Sequence, residues 1–220
     1  MIKHHIHPEI LMAYAAGKTS PSVSLIVASH ITLCAECRKV VEDFENLGGK
    51  FLEDSDPVEI NTSSLESILG KIDNIDLDDQ LVEPTNKGNS FKNMPSVLSK
   101  YLPDTDKLTD KWKKSIGGIR YFDIDLGDFK QNTHARMLSI PPGRKLPHHG
   151  HESQELTLVL EGGFKDENGS YNAGDVAIED ENNLHTPVSD PSEGCVCLVV
   201  YEGKLKFKGL FGPILNILNK

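Results

Sequence analysis

Two groups of side chains in this 220-residue chain have the types and spacings that hold metal ions. In the first, His30, Cys34 and Cys37 fall at relative positions i, i+4 and i+7. On a helix or near-helix these side chains point the same way, and one imidazole with two thiols is a donor set that suits zinc. A closed structural site needs a fourth ligand, and His4, His5 and His7 near the start of the chain are candidates for it. A Cys-x-x-Cys pair alone could be a redox couple or two small core residues. The His four residues ahead and the His cluster one helical hairpin away favour the metal.

The second group is Gly143-x5-His149-x-His151-x3-Glu155-x6-Gly162, followed by His185. His149 and His151 share a face because the strand period is two. Three imidazoles and a carboxylate suit zinc, iron, manganese or nickel without choosing among them. His148 would point the other way, as a solvent-facing group or one that braces a ligand.

The first group is placed by helices. Pro8 and Glu9 open one whose stripe is Ile10, Leu11, Tyr14 and Ala15, ending at Gly17; Ser20-Pro21 opens a second that runs into His30. Arg38 to Leu47, with Val40, Val41, Phe44 and Leu47 at helical spacing, predicts a third, stopped by Gly48-Gly49. After an acidic, Pro-interrupted loop, Ser63 to Glu66 reads as a capping box ahead of Leu65, Ile68, Leu69 and Ile72. That fourth stripe either packs on the first three helices or lies in a groove of a partner protein. From Asp73 to Met94 the composition is that of a linker.

The second group is placed by strands, expected over 116–126, 133–140, 155–161, 175–179 and 195–201, with Asn168-Gly169 as a hairpin turn. Many short strands without intervening helices predict an all-β barrel or jelly roll. Cys195 and Cys197 would face one side of their strand as small core residues. The closing stretch carries Phe207, Leu210, Phe211, Ile214, Leu215 and Leu218 and is expected to pack across the barrel or at a dimer seam.

The net charge of −10 is uneven: residues 1–85 hold 6 Lys/Arg against 15 Asp/Glu, whereas residues 86–220 hold 17 against 18. Such a surface repels nucleic acid and attracts basic proteins, so the first part reads as a partner for a DNA-binding protein rather than a DNA binder, the alternative being a solvated face that keeps the domain soluble. Four cysteines are too few for a disulfide scaffold, and there is no signal-like or membrane-length apolar run. A cytoplasmic protein is expected.

The second group matches the first metal motif of the cupin superfamily. The second cupin motif is partial: Gly174 and His185 stand in place, while Asp180 and Asn182 replace the usual Pro and Gly. End to end, the chain resembles the ChrR family of zinc-binding anti-sigma factors. The likeness lies in His4-His5, Tyr14-Ala15-Ala16-Gly17, Ala28-Ser29-His30, Cys34-x-x-Cys37, Gly150-His151 to Gly162, His185-Thr186-Pro187 and Cys195-x-Cys197.

The resemblance implies an α+β chain of two domains: a four-helix zinc-binding anti-sigma domain over 1–85, a linker over 86–95, and a cupin (jelly-roll) barrel over 96–220. It implies zinc on His5, His30, Cys34 and Cys37, with His4 and His7 as rivals to His5. A second divalent metal, with zinc the first choice, falls on His149, His151, Glu155 and His185. His148 departs from the acid expected in the closest relatives. The implied function is that of a non-enzymatic anti-sigma factor. Residues 1–85 would keep an extracytoplasmic-function sigma factor from RNA polymerase and release it on singlet oxygen or peroxide. The alternative is a metal-dependent cupin enzyme of dioxygenase or isomerase type.

Overall fold

The structure is a computed structural model that describes residues 1–61, 63–74, 94–102, 112–127, 133–203 and 205–207. Helix α1 spans Pro8–Ala15, α2 Pro21–Leu33, α3 Ala35–Glu53, α4 Ser63–Ile72 and α5 Ser96–Ser99. Pro8 and Pro21 sit at helix starts, where the missing N–H costs nothing, and Ser20 Oγ accepts from Val23 N–H at 3.3 Å. Leu25, Ile26, Val27, Ser29 and His30 of α2 are all buried, because α2 lies between the other helices and a sheet.

Two helical expectations need correction. Helix α3 runs through Gly48-Gly49 to Glu53. Neither glycine takes the left-handed φ that would stop it, and Lys50 pairs with Glu53 and Asp54, both at 3.4 Å, carrying the helix on. A helical glycine costs about 1 kcal/mol but ends a helix only by leaving the helical φ. Ser63 is the first residue of α4 rather than its cap, and Asn61 Oδ1 accepts from its N–H at 3.1 Å. No residue of α4 is buried: Leu65, Ile68, Leu69 and Ile72 are all exposed.

The strands are β1 Lys113–Lys114, β2 Arg120–Ile124, β3 Thr133–Ile140, β4 His149–His151 and β5 Glu155–Lys165. They continue with β6 Ser170–Asn172, β7 Val176–Glu179, β8 Val188–Ser189, β9 Cys195–Glu202 and β10 Leu205–Phe207. All pairings are antiparallel, in the order β1-β2-β3-β9-β5-β6, with β7 and β8 also on β5 and β10 on β4. The strand expected over 116–126 is broken, because Gly117 and Gly118 turn at φ 75° and 81° and fold β1 back on β2. Strand β5 bulges between Val159 and Glu161 and continues to Lys165, and just past the bulge Gly162 is required: at φ 64°, an added Cβ would run into the Gly194 carbonyl oxygen.

The two faces of the β5–β9 pair serve different purposes. Leu156, Leu158, Leu198 and Val200 join Leu11, Ile26, Val27, Val41 and Leu98 in one apolar cluster, so the helices pack on the outside of the sheet. Val159, Cys197, Val199 and Tyr201 face the other way, into a second cluster with Phe164, Tyr171 and Cys195. Cys195 and Cys197 are thus free, buried thiols on one face, as expected. The expected linker lies outside the described residues apart from 94 and 95, as does the apolar stretch beyond Phe207. No described helix is long and apolar enough to cross a membrane.

Candidate metal centres

Cys34 ends α2 and caps α3, its sulfur accepting from Cys37 N–H at 3.5 Å, so the inter-helix corner itself sets the two thiols side by side. His30 lies in the last turn of α2 and is fully buried. The extended segment before α1 brings in His5, whose Nδ1 lies 3.3 Å from Cys34 Sγ and 3.6 Å from Cys37 Sγ. The ligand atoms of His5, His30, Cys34 and Cys37 all fall within 4.8 Å of one another. His4 and His7 are elsewhere: the His4 ring packs on Tyr171 with centroids 4.5 Å apart, and His7 is exposed ahead of α1.

The outer contacts orient both imidazoles. His30 Nδ1–H donates to the Gly174 carbonyl at 3.1 Å, which turns Nε2 with its lone pair toward the cluster. That Nε2 is buried without a hydrogen-bond partner among the described residues. Such a group costs about 1–3 kcal/mol unless something fills the position, and a cation does so. His5 Nε2 faces Glu36 at 3.5 Å, a carboxylate–imidazole pairing that favours Nδ1 as donor to a metal.

Burial lowers the His30 pKa to about 4, against the pull of the Gly174 bond, so the ring is neutral as a ligand must be. Burial, reinforced by Cys34 and Glu36 and opposed by the Ile6 N–H, raises Cys37 to about 11. A divalent cation between the thiols reverses that preference. Two sulfurs and two nitrogens fit tetrahedral zinc.

In the barrel, β4 and the 180–187 loop set His149 Nε2 and His185 Nε2 3.2 Å apart. His149 Nδ1–H donates to the Pro147 carbonyl at 2.8 Å, so its Nε2 is an acceptor in the neutral ring; burial and His185 lower its pKa to about 4. His185 Nδ1 meets Asp166 Oδ2 at 3.0 Å, and although burial opposes it, that contact with Glu155 and Glu179 raises the His185 pKa. With Nδ1–H directed to Asp166, the Nε2 of a neutral His185 ring presents its lone pair to that of His149 across the space a cation would take. Glu155 points into the barrel, accepts from Thr157 Oγ1 at 3.1 Å and is raised by burial to about 7. Of His151, the structure describes only the backbone, on β4 beside His149. His148 is exposed, with Nδ1 2.9 Å from Thr186 Oγ1.

Sequence reasoning missed Asp166 and Glu179. With His185 they form the second described group whose ligand atoms lie within 4.8 Å of one another. Asn168 Nδ2 donates to both Glu179 oxygens, at 3.1 and 2.9 Å, and the Asp166 Oδ1 accepts from the Asn168 and Gly169 amides, at 2.9 and 3.0 Å. The signal was present: Asp166 begins the turn containing Asn168-Gly169, and Glu179 keeps phase with inward-facing Ala177 on β7.

The family model described as the ChrR Cupin-like domain matches residues 102–205. The chain is 36% identical over 98% of its length, and 97% of the relative's, to a Cereibacter sphaeroides protein named anti-sigma-E factor ChrR. It is also similar to the chain in a crystal structure of Rhodobacter sphaeroides SigE in complex with the anti-sigma ChrR. That likeness has a TM-score of 0.74 at 35% identity, covering 92% of this chain and all of the other. The chain belongs to the ChrR family of anti-sigma factors.

Proposed function

We infer that this protein is an anti-sigma factor that holds an extracytoplasmic-function sigma factor away from RNA polymerase, a negative regulator of transcription working in the cytoplasm. The observation that carries the reading is the uncovered apolar surface of the acidic helical part. Phe51, Leu52, Val58, Ile60 and the whole stripe of α4 are exposed, the composition of a surface awaiting a protein partner. The full-length likeness to a protein named an anti-sigma factor, and to one solved bound to SigE, supports naming that partner a sigma factor.

In this reading residues 1–85 are the sigma-binding part, 86–95 a linker and 96–220 the sensory barrel. Zinc sits on His5, His30, Cys34 and Cys37 in a structural role, since four ligands leave no open position. His149, His151, Glu155 and His185 hold a second divalent metal, where oxidant, singlet oxygen or a peroxide, is registered. The barrel works as a receiver rather than as an enzyme.

The test is capture of partners by the tagged full-length chain from cells, with and without a zinc chelator, read by mass spectrometry. A sigma factor retained only with zinc is the expected result. No sigma factor in either condition overturns the reading and directs attention to the barrel as an enzyme.

A further inference from the structure

The imidazole half of the N-terminal cluster is held partly from outside the helices that carry the thiols. His5 belongs to an extended segment whose backbone bonds run to the barrel: the Lys3 and His4 amides donate to Asp175 Oδ1, at 2.6 and 3.0 Å, and the His4 carbonyl accepts from Val176 N–H at 3.1 Å. Ile2 closes on the same turn, where a Cβ on Gly174 would lie 2.7 Å from Ile2 Cγ1. His30, on α2, donates its Nδ1–H to Gly174 itself. One turn between β6 and β7 therefore orients two ligands that are 25 residues apart in sequence. The thiols are set separately, by the α2–α3 corner.

We propose that the barrel completes the N-terminal metal centre, with the Gly174 carbonyl and the Asp175 carboxylate acting as positioning groups for His30 and His5. The proposal rests on reading His5, His30, Cys34 and Cys37 as a metal centre. It makes that centre the joint between the two halves of the molecule, because the positioning turn continues as β7, whose last residue, Glu179, stands beside His185. Linkage requires the effect to be mutual: a turn that tightens metal binding is itself held more firmly when metal is bound.

The experiment uses full-length protein loaded with Co2+, whose thiolate-to-cobalt charge-transfer band reports the two-cysteine centre, since the barrel's candidate ligands include no thiol. Asp175→Ala is expected to weaken chelator-competed Co2+ affinity at that band by about 10- to 100-fold, the usual effect of losing a group that orients a ligand. Asp175→Asn, which keeps an acceptor oxygen for the Lys3 and His4 amides, restores most of it. Unchanged affinity in a folded Asp175→Ala protein overturns the proposal. Absence of the band from the unaltered chain overturns the metal-centre reading beneath it.

Amide exchange in the unaltered chain provides the arm that no folding defect obscures. Zinc is expected to slow exchange of the Val176 N–H, which bonds His4, and to leave it unslowed in the Cys34→Ser/Cys37→Ser protein. Equal exchange with and without zinc in the unaltered chain, or equal slowing in both proteins, refutes the coupling.

Discussion

If α4 docks on a sigma factor, truncating its stripe weakens the complex without harming the free protein. Leu65 and Leu69 are 64% and 49% exposed, so about two-thirds of the first and half of the second are still available for burial. Leu→Ala removes three carbons, about 2.4 kcal/mol at about 0.8 kcal/mol per buried methylene. Scaled by the exposed fractions, the double variant forgoes about 1.5 plus about 1.2 kcal/mol, or roughly a 100-fold rise in Kd. Alanine keeps the helix propensity and neither leucine is buried in the unbound chain, so the free protein's stability changes only as for a surface substitution, by about 0.5 kcal/mol. Titration calorimetry of zinc-loaded Leu65→Ala/Leu69→Ala against the sigma factor measures the first quantity, and urea unfolding the second. An affinity within threefold of the unaltered protein, with the urea midpoint unmoved, would refute the assignment of α4 to the interface.

The remaining expectations concern the two centres. Cys34→Ser/Cys37→Ser abolishes sigma binding, because losing the metal loosens the corner that sets α3 against α2; a double variant that still represses transcription normally would sink this. Glu155→Ala leaves sigma binding intact and blunts release under oxidant, read as induction of a sigma-dependent reporter, and unchanged induction counts against it. In metal-free protein the Glu155 pKa of about 7 lies above its ordinary 4.5, so the folded state binds the proton more tightly. The stability this supplies is full below about pH 4.5 and is lost as pH rises through 7, about 3 kcal/mol in all. Urea midpoints of chelator-treated protein between pH 5 and 8 should therefore fall relative to those of Glu155→Gln, and parallel pH profiles would contradict the assignment.

Features written within a few residues of one another are legible in the amino-acid sequence. Pro8 and Pro21 mark helix starts, the period of two recovers Thr133–Ile140, and Cys195 and Cys197 share a face because strands alternate. The i, i+4, i+7 set of His30, Cys34 and Cys37 is equally local, although the backbone between Leu33 and Ala35 is a helix corner rather than one continuous helix. Gly48-Gly49 misled because a glycine pair signals a stop only when one takes a left-handed φ, and no pattern of types states which φ it takes.

What the chain determines by itself, then, is its sequence of elements, the donor types each one carries, and an acid excess confined to the first 85 residues. Only the tertiary structure brings His5, rather than His4 or His7, to the thiols, because that placement depends on the hydrogen bonds of Lys3 and His4 to Asp175 and Val176, some 170 positions away. It likewise sets Asp166 and Glu179 against His185, and leaves the apolar stripe of α4 exposed. Propensity and periodicity act over a turn of helix or a pair of strand residues, whereas a metal centre is defined by side chains converging from distant segments, a convergence produced by packing the helices on the outer face of the sheet.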